Sequence, residues 1–486
     1  MNSNVIDFFP LTPMQQGILF HTLYTPGTPA YFQQIECVLR GPLDAAAFCR
    51  AWRQVAARHA ALRTGFVWEE IKEPVQIVYR QADLPCDIHD WRDHAPDAQA
   101  TLWAELLRDE RARGFDLASP PLFRLTLARI HDDAHRFAIS YHHIILDGWS
   151  LPLLLKEAFT CHTAYCGDGD AGELVLAEPP RFRNYVAWLR RQDLDAARRF
   201  WQRLLEGFTA PTTLGARTSS SAQLMPEAVF DEVRSDLPPH VAEALQSLAR
   251  ARRLTPGTIF YGAWGLLLSR YTGEPDVVFG VTVSGRMAAL EGIEAMVGLL
   301  VNTLPVRIPI DGDEVLTEWL QQIQAGQVGA RQYEYSPLAD IQNWSGVARG
   351  QSLFESILVF ENYPVDAALT DAPGGLVVEQ VKTFERTNYP LTLLIGSRPA
   401  STLRLIYDTR QFAPDAVARM LAHLQDLLAG IAADHTQRLS SLRMLTSAER
   451  HQLLVEWNDT QADDEENIGC VHQLFEAQAA RTPDAV

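Results

Sequence analysis

Apolar residues along the first 180 positions alternate between helical and extended spacing. Around residues 43–59 they recur at three- and four-residue intervals, which predicts an amphipathic helix. Extended segments follow at residues 64–68, 122–130 and 135–143. The pattern turns helical again after Gly148, and Ser150 is the predicted N-cap of that helix.

A second series of helices and strands begins after a break at residues 177–180. The pattern predicts helices at 185–208, 255–271 and 413–434, a strand at 276–284 and a polar loop at 212–221. A chain of 486 residues is long enough for two large lobes, and both halves mix helices with strands. We therefore expect an α/β (α+β) fold with one lobe at 1–178 and a second at 179–445.

The last forty residues have a different character. The acidic stretch 458–467 predicts a linker, and a short helix is expected at 471–478. Residues 446–486 are accordingly interpreted as a linker and the truncated start of another domain.

Composition and charge narrow the class of protein. Hydrophobic residues make up 47% of the chain and charged residues 21%, as in ordinary globular proteins. The formal charge of -18 excludes a dense basic surface, so no nucleic-acid partner is expected. No apolar run reaches the ~18 residues of a membrane span, and the N-terminus lacks a signal peptide. The expected location is cytoplasmic, without a membrane partner.

The six cysteines form no Cys-x-x-Cys motif. Cys161, His162 and Cys166 stand close together, but they continue an amphipathic helix, and a zinc site would need further ligands at known spacing. We expect cysteines packed in a helix and no metal.

Two adjacent histidines and an aspartate–glycine pair form a candidate acid–base site. His142 and His143 end a predicted strand, so their side chains point to opposite faces. Asp147 suits either an imidazole orienter or the partner of an arginine. Gly148 lets the backbone approach a substrate and offers its amide to a developing oxyanion. The alternative from these residues alone is a pair of core histidines with satisfied hydrogen bonds.

Five ordered motifs resemble one family. They are Leu-Thr-Pro-Met-Gln-Gln-Gly at 11–17, Arg-His-Ala-Ala-Leu-Arg-Thr-Gly-Phe at 58–66, Tyr-His-His-Ile-Ile-Leu-Asp-Gly-Trp at 141–149, Tyr-Val-Ala-Trp at 185–188 and Val-Gly-Leu-Leu-Val-Asn-Thr-Leu-Pro-Val-Arg at 297–307. Over residues 8–445 the chain resembles the condensation domains of nonribosomal peptide synthetases, members of the chloramphenicol acetyltransferase-like superfamily. It departs from them at Ala60, where a glutamate is common.

The resemblance implies two acetyltransferase-like lobes in a V shape, with a tunnel between them that admits two phosphopantetheine arms. His143, in the HHxxxDG motif with His142 and Gly148, is implied as the catalytic residue. Asp147 is similar to an aspartate that pairs with an arginine, and Arg286 is the expected partner, although it could be a solvated surface residue. Three more residues are implied to line or support the tunnel: Trp149, Asn302 and Arg63.

Acidities suggest what His143 does. The acceptor amine should titrate near ~7.7 to 8 and histidine near ~6.5, so much of the amine is neutral without a strong base. His143 Nε2 then accepts the proton in the transition state or holds the amine in place. We expect the loss on removing His143 to vary with the acceptor amine.

The resemblance also implies substrates and partners. No covalently bound cofactor is expected; the substrates are thioesters on the phosphopantetheine arm of a peptidyl carrier protein and on coenzyme A, and an adenylation domain is a further partner. Met1 stands close to the first motif, which favours a starter domain that takes a fatty acyl group from acyl-CoA. The alternative is an elongation domain fed by an upstream carrier protein in trans. The motif at 11–17 is similar to domains that condense D-configured donors.

Other relatives fit less well. An epimerisation domain needs a further acidic group where this chain has Val-Ser-Gly-Arg at 283–286, and a heterocyclisation domain replaces the histidines with aspartates. The tail at 446–486 resembles a linker and the truncated start of an adenylation domain, and a stand-alone acyltransferase would not run into one. A catalytically silent recruiting platform generally loses the histidine motif, which is intact here.

Overall fold

The computed structural model describes residues 4–24, 31–166, 176–214, 230–361, 375–396, 402–460 and 470–484. The chain divides into two units, Met1–Leu442 and Arg443–Val486. The predicted loop at 212–221 lies within the described residues only as far as 214, and the predicted linker at 458–467 only as far as 460.

The first part of the larger unit begins with a strand and alternates the two element types. Its strands are β1 (Val5–Pro10), β2 (Phe32–Arg40), β3 (Thr64–Val67), β4 (Val75–Tyr79), β5 (Cys86–Asp90), β6 (Phe123–His131) and β7 (Ala134–His142). Its helices are α1 (Pro13–Tyr24), α2 (Ala45–Arg58), α3 (Pro96–Arg113) and α4 (Ser150–Cys166).

The rest of the chain repeats this mixture. Its strands are β8 (Phe230–Asp236), β9 (Asp276–Val283), β10 (Asn302–Pro309), β11 (Ser356–Glu361), β12 (Val377–Phe384), β13 (Leu391–Gly396) and β14 (Thr402–Asp408). Its helices in the larger unit are α5 (Phe182–Leu189), α6 (Leu194–Leu204), α7 (Pro239–Arg252), α8 (Pro256–Thr272), α9 (Leu316–Arg331), α10 (Leu338–Trp344) and α11 (Pro414–Ala433). The smaller unit contains α12 (Ser447–His451), a π-helical turn at Gln452–Glu456 and α13 (Val471–Arg481).

The strands form three sheets. A three-stranded sheet has the order β1-β4-β3, and a six-stranded sheet has the order β10-β9-β11-β13-β14-β8. The remaining five-stranded sheet has the order β12-β2-β7-β6-β5. Its edge strand β12 comes from the later half of the chain and pairs antiparallel with β2, so the two halves share a sheet.

Helix α2 shows how the sequence builds the core of the first half. Asp44 caps the helix, because its carboxylate accepts the N–H of Ala47 at 2.8 Å. Phe48, Trp52 and Val55 then fall on one face at helical spacing, and each is fully buried. This face packs towards the sheet, where the Phe48 ring meets the edge of Phe137 in β7.

Two local predictions were wrong in detail. The helix expected at 185–208 is interrupted, because Asp193 accepts the N–H of Ala196 at 2.9 Å and starts a new helix, α6. Ser150 is the first residue of α4 and not its N-cap; the carboxylate of Asp147 accepts its N–H instead.

The predicted helix through Cys161 and Cys166 is present as the second half of α4, with Cys161 buried. Cys49 in α2 and Cys86 in β5 form a disulfide. Within the described ranges, no group of three or more histidine, cysteine, aspartate or glutamate side chains could hold a metal ion. In the same ranges, every helix is too short or too polar to cross a bilayer.

Candidate active site

The segment from His142 to Gly148 connects the end of β7 to the start of α4. The N–H of His143 donates to the carbonyl of Tyr31 at 2.8 Å, and the N–H of Ile145 donates to the carbonyl of His142 at 3.2 Å. Tyr31 adopts φ 61, an unusual left-handed conformation for a tyrosine, directly before β2. The backbone under the two histidines is therefore fixed from the neighbouring strand.

One nitrogen of the His143 ring has a defined partner. Nδ1 lies 2.6 Å from the carbonyl oxygen of Leu146. A carbonyl only accepts, so Nδ1 carries the hydrogen and donates it, and the neutral ring keeps its lone pair on Nε2. Burial lowers the pKa of His143, which favours this neutral form. The ring is thus prepared to accept a proton or a hydrogen bond at Nε2.

His142 is placed differently. Its side chain is buried, and its Nδ1 accepts the N–H of Ile144 at 3.3 Å. Its Nε2 lies 3.5 Å from the hydroxyl of Thr22 in α1. Burial, with the nearby His143, lowers the pKa of His142 to about 3. Although the sequence grouped His142 with the catalytic residues, both of its nitrogens face protein partners and it occupies a supporting position.

Asp147 is the centre of a buried polar network. It is fully buried, and its Oδ1 accepts from the Ser150 N–H at 2.8 Å, from the Ser150 hydroxyl at 2.7 Å and from Arg286 Nη2 at 3.0 Å. Its Oδ2 accepts the N–H of Leu300 at 3.1 Å and lies 3.2 Å from Arg286 Nη2. Every lone-pair direction of this carboxylate is engaged, so Asp147 joins the start of α4 to residues 286–300.

Arg286 is the partner that was expected for Asp147, and it is buried. Its Nη1 donates to the carbonyls of Ile293 and Met296, each at 2.8 Å. The preceding Gly285 has φ +66, and a Cβ there would stand 1.9 Å from the carbonyl oxygen of Leu300. Only glycine fits this close approach, so Gly285 sets the geometry of the arginine loop.

A cavity of about 450 Å³ opens beside the helix start; we call it the Trp149 cavity. Gly148 and Trp149 lie on its wall, and Val301 and Ser284 line it from the later half of the chain. The guanidinium of Arg286 is 5.9 Å from the centre of the Trp149 ring. Gly148 and Trp149 therefore line the cavity as predicted, and Arg286, which is buried, lies beside the Trp149 ring.

A second cavity, of about 570 Å³, lies at Tyr31; we call it the Tyr31 cavity. Asn302 lines it, and its Nδ2 donates to the carbonyls of Glu334 at 2.7 Å and Ser336 at 2.9 Å. The hydroxyl of Tyr31 donates to Asn388 at 2.6 Å. Asn302 thus lines a cavity and supports a loop at the same time.

Arg63 is held by backbone carbonyls. It is buried and donates to the carbonyls of Ala56 at 2.9 Å and Arg80 at 3.1 Å, and also to that of Tyr79. These bonds join the end of α2 to β4. Arg63 thus has a supporting place, and it lines a cavity of about 410 Å³ together with Ile145.

Three residues of the site were missed from the sequence: Tyr31, Gly285 and Glu334. Gly285 carried a usable signal, since a glycine directly before a predicted ion-pair arginine indicates a tight backbone approach. Tyr31 and Glu334 carried none, because their positions depend on contacts between segments far apart in the chain.

Comparison with known proteins places this architecture in a family. A family model described as "Condensation domain" matches residues 5–454. One polypeptide of the linear gramicidin synthase of Brevibacillus parabrevis is 41% identical over 485 residues, which cover 100% of this chain and 6% of that polypeptide. Chondramide synthase cmdD of Chondromyces crocatus is 37% identical, over 99% of this chain and 14% of the synthase. The chain thus spans a small part of the length of these relatives.

Solved structures share the fold. The first condensation domain of the CDA synthetase superposes with a TM-score of 0.73 at 20% identity, over 90% of this chain and 99% of that one. The starter condensation domain of rhizomide synthetase, in complex with C8-CoA, gives a TM-score of 0.75 at 21% identity, over 90% of this chain and 98% of that one. The predicted fold class is confirmed.

Together, the mixed α/β fold and these relatives define an amide-forming acyltransferase. The chain belongs to the condensation-domain family of nonribosomal peptide synthetases, as its five motifs predicted.

Proposed function

We propose that this domain joins the acyl group of a donor thioester to the amine of an aminoacyl group on a carrier protein, with His143 at the reacting amine. The observation that carries the proposal is the 2.6 Å contact of His143 Nδ1 with the carbonyl of Leu146. It leaves the lone pair of the neutral ring on Nε2, where an N–H of the amine can donate.

The chemistry needs one proton to move. The amine nitrogen attacks the thioester carbonyl and forms a C–N bond, and its N–H becomes strongly acidic as it does so. Nε2 accepts that proton or holds the amine in line. The C–S bond then breaks, and the departing thiolate takes up a proton to leave as a thiol. The Gly148 amide is the proposed donor to the oxyanion.

The two cavities are the proposed approaches for the two substrates. The Trp149 cavity begins at Gly148, and the Tyr31 cavity begins at the residue whose carbonyl binds the His143 N–H. In this proposal the phosphopantetheine arms reach His143 along these two openings, one from each of two lobes divided near residue 178.

A donor borne by an upstream carrier protein has the stronger support. Three different polypeptides of linear gramicidin synthase match at 40–41% identity over the full chain. A synthase divided among several polypeptides must pass its growing product from one to the next. Fatty acyl transfer from acyl-CoA is the second candidate; its support is the shared fold of the rhizomide starter domain bound to C8-CoA.

Residues 446–486 are proposed to lead into an adenylation domain, which would be the neighbouring unit of the same synthetase. In this proposal the adenylation domain loads the carrier protein that presents the acceptor amine. The chain itself needs no covalently bound cofactor for this reaction.

The test supplies the domain with an aminoacyl-loaded carrier protein and two donor panels, acyl-CoA thioesters and aminoacyl or peptidyl carrier proteins. Carrier-bound products are identified by mass spectrometry. His143→Ala is compared with His240→Ala, which removes an exposed histidine from α7. Product that depends on His143 supports the proposal, and the panel that yields it identifies the donor. Absence of product from both panels would overturn it.

A further inference from the structure

The Trp149 cavity is mostly apolar but contains one carboxylate. Apolar side chains from several elements form its wall: Tyr261, Val281, Val301, Leu304 and Phe360. Arg331 and Glu334 are the charged residues on it. Its size is that of a small-molecule binding pocket, and such pockets use few polar groups to orient a ligand.

The carboxylate of Glu334 lacks a protein partner within the described part of the chain. The residue is half-buried, and no hydrogen bond or ion pair reaches its side chain there, including from Arg331 three residues earlier. Burial raises the pKa of Glu334, and the charge of Arg331 opposes this only in part. A partly desolvated carboxylate without a partner is costly, so a donor is expected from a ligand.

The main chain holds Glu334 in place. Asn302, the first residue of β10, donates to its carbonyl at 2.7 Å. Two residues before Asn302, the N–H of Leu300 donates to Asp147. The hydroxyl of Tyr185 donates to the carbonyl of Leu300 at 3.1 Å. Burial raises the pKa of Tyr185, and the carboxylates of Asp147 and Glu334 both add to this. The backbone of Glu334 is therefore connected to Asp147 by two hydrogen bonds and the short stretch of main chain between Leu300 and Asn302.

We propose that Glu334 binds an ammonium or N–H group of an aminoacyl or peptidyl substrate in the Trp149 cavity. The inference rests on the proposed function and identifies its substrate class. An aminoacyl or peptidyl group offers the carboxylate a donor. A fatty acyl chain offers none and would bury the carboxylate without compensation.

The experiment compares two non-hydrolysable ligands that differ only in the amine, leucyl-pantetheine amide and 4-methylpentanoyl-pantetheine amide. Binding to the full chain is measured by calorimetry. The variants are Glu334→Gln and Glu334→Ala, with Glu318→Gln as control, because Glu318 is an exposed carboxylate on α9, the same helix that ends just before this cavity residue. The wild type and E318Q should bind the leucyl ligand about tenfold more tightly than the 4-methylpentanoyl ligand, because a charge-assisted hydrogen bond contributes a difference of this size.

Loss of that preference in both Glu334 variants supports the inference. Loss in E334A with retention in E334Q also supports it and identifies the bound group as a neutral N–H. An unchanged preference in both variants, or equal weakening of both ligands, overturns it. Amide formation measured in parallel separates the two levels. A wild type without product from any donor refutes the proposed function, whereas product formation with an unchanged preference in both Glu334 variants refutes only the role of Glu334.

Discussion

His143 and Asp147 lie four residues apart in one strand-to-helix connection, yet their surroundings are opposite. Both carboxylate oxygens of Asp147 accept hydrogen bonds, from Ser150, Arg286 and Leu300, and the residue is fully buried. The His143 ring uses Nδ1 for Leu146 and keeps the lone pair of Nε2 for another donor. The carboxylate of Asp147 is thus engaged within the protein, whereas Nε2 of His143 is able to accept a hydrogen bond from a substrate.

The difference teaches that polar residue type is a poor guide to role inside one motif. A satisfied buried ion pair resists change, because removing one partner leaves the other charge unpaired. An imidazole ring whose Nδ1 donates a hydrogen bond to the protein is held in one orientation, and its Nε2 can still accept a hydrogen bond or a proton. Substitutions at these positions test this division between a reacting residue and a structural one.

The largest effect is expected for His143→Ala. Its kcat/KM should fall by between about 10²- and 10⁴-fold, the usual range for a lost acid–base group, and the factor should vary with the acceptor amine. The free energy of unfolding should fall by only about 1 kcal/mol, because the hydrogen bond to the carbonyl of Leu146 is lost. The measurement is the rate of carrier-bound product formation across acceptors whose amines differ in basicity. A uniform and total loss with every amine would count against a positioning role.

Asp147→Asn should have the opposite effect, a large loss of stability with little direct loss of activity. It leaves the Arg286 charge buried without its counter-ion, which costs about 3–5 kcal/mol of stability. Urea unfolding measures the loss, and activity should fall only as the folded fraction falls. The double variant Asp147→Asn with Arg286→Met should be more stable than the single variant, because the unpaired charge is gone. A single variant that loses less than about 1 kcal/mol would show that the ion pair is not structural.

Much of the fold followed from local patterns. The amphipathic spacing predicted α8 and α11 within one or two residues, and the strand pattern predicted β9. The return of β12 to pair with β2 was not predictable in this way, because the pairing joins segments more than 300 positions apart in the chain. The break between α5 and α6 depends on one side-chain cap at Asp193, which a hydrophobic pattern does not register.

The site residues show the same difference between what a local motif indicates and what depends on contacts between distant segments. The motif placed His143 and Asp147, and the resemblance suggested Arg286, which lies 139 residues away in the chain. The lone pair is on Nε2 because the carbonyl of Leu146 points at Nδ1, and this direction of the backbone is not readable from the motif. Glu334 was missed because its importance arises from an enclosing cavity and from the hydrogen bond of Asn302 to its backbone.

Gly285→Ala extends the test to the backbone beneath the ion pair. Gly285 and Gly273 both have positive φ, so alanine at either position should cost about 1–2 kcal/mol. At Gly285 the new Cβ also meets the carbonyl oxygen of Leu300, whereas at Gly273 nothing lies within 4 Å. Chemical denaturation should therefore show G285A to be clearly less stable than the matched G273A. Equal losses would mean that the Leu300 segment yields without cost and does not define the Asp147 site.

The smallest effect concerns His142 and the pH dependence of stability. Its pKa is about 3 in the folded protein and near ~6.5 in the unfolded chain, so between these values only the unfolded chain binds the proton. Stability should therefore fall as the pH falls below ~6.5, by about 1 kcal/mol from this residue on going from about pH 7.5 to about pH 5.5. Urea unfolding at both pH values should show a smaller decrease for His142→Gln than for the wild type, and an unchanged decrease for His240→Gln, whose histidine is exposed. The remaining pH dependence in H142Q includes His143, whose pKa is also lowered by burial. If the wild type and H142Q respond alike, His142 is not held as the neutral, enclosed neighbour of a reactive ring, and the contrast between the two histidines fails.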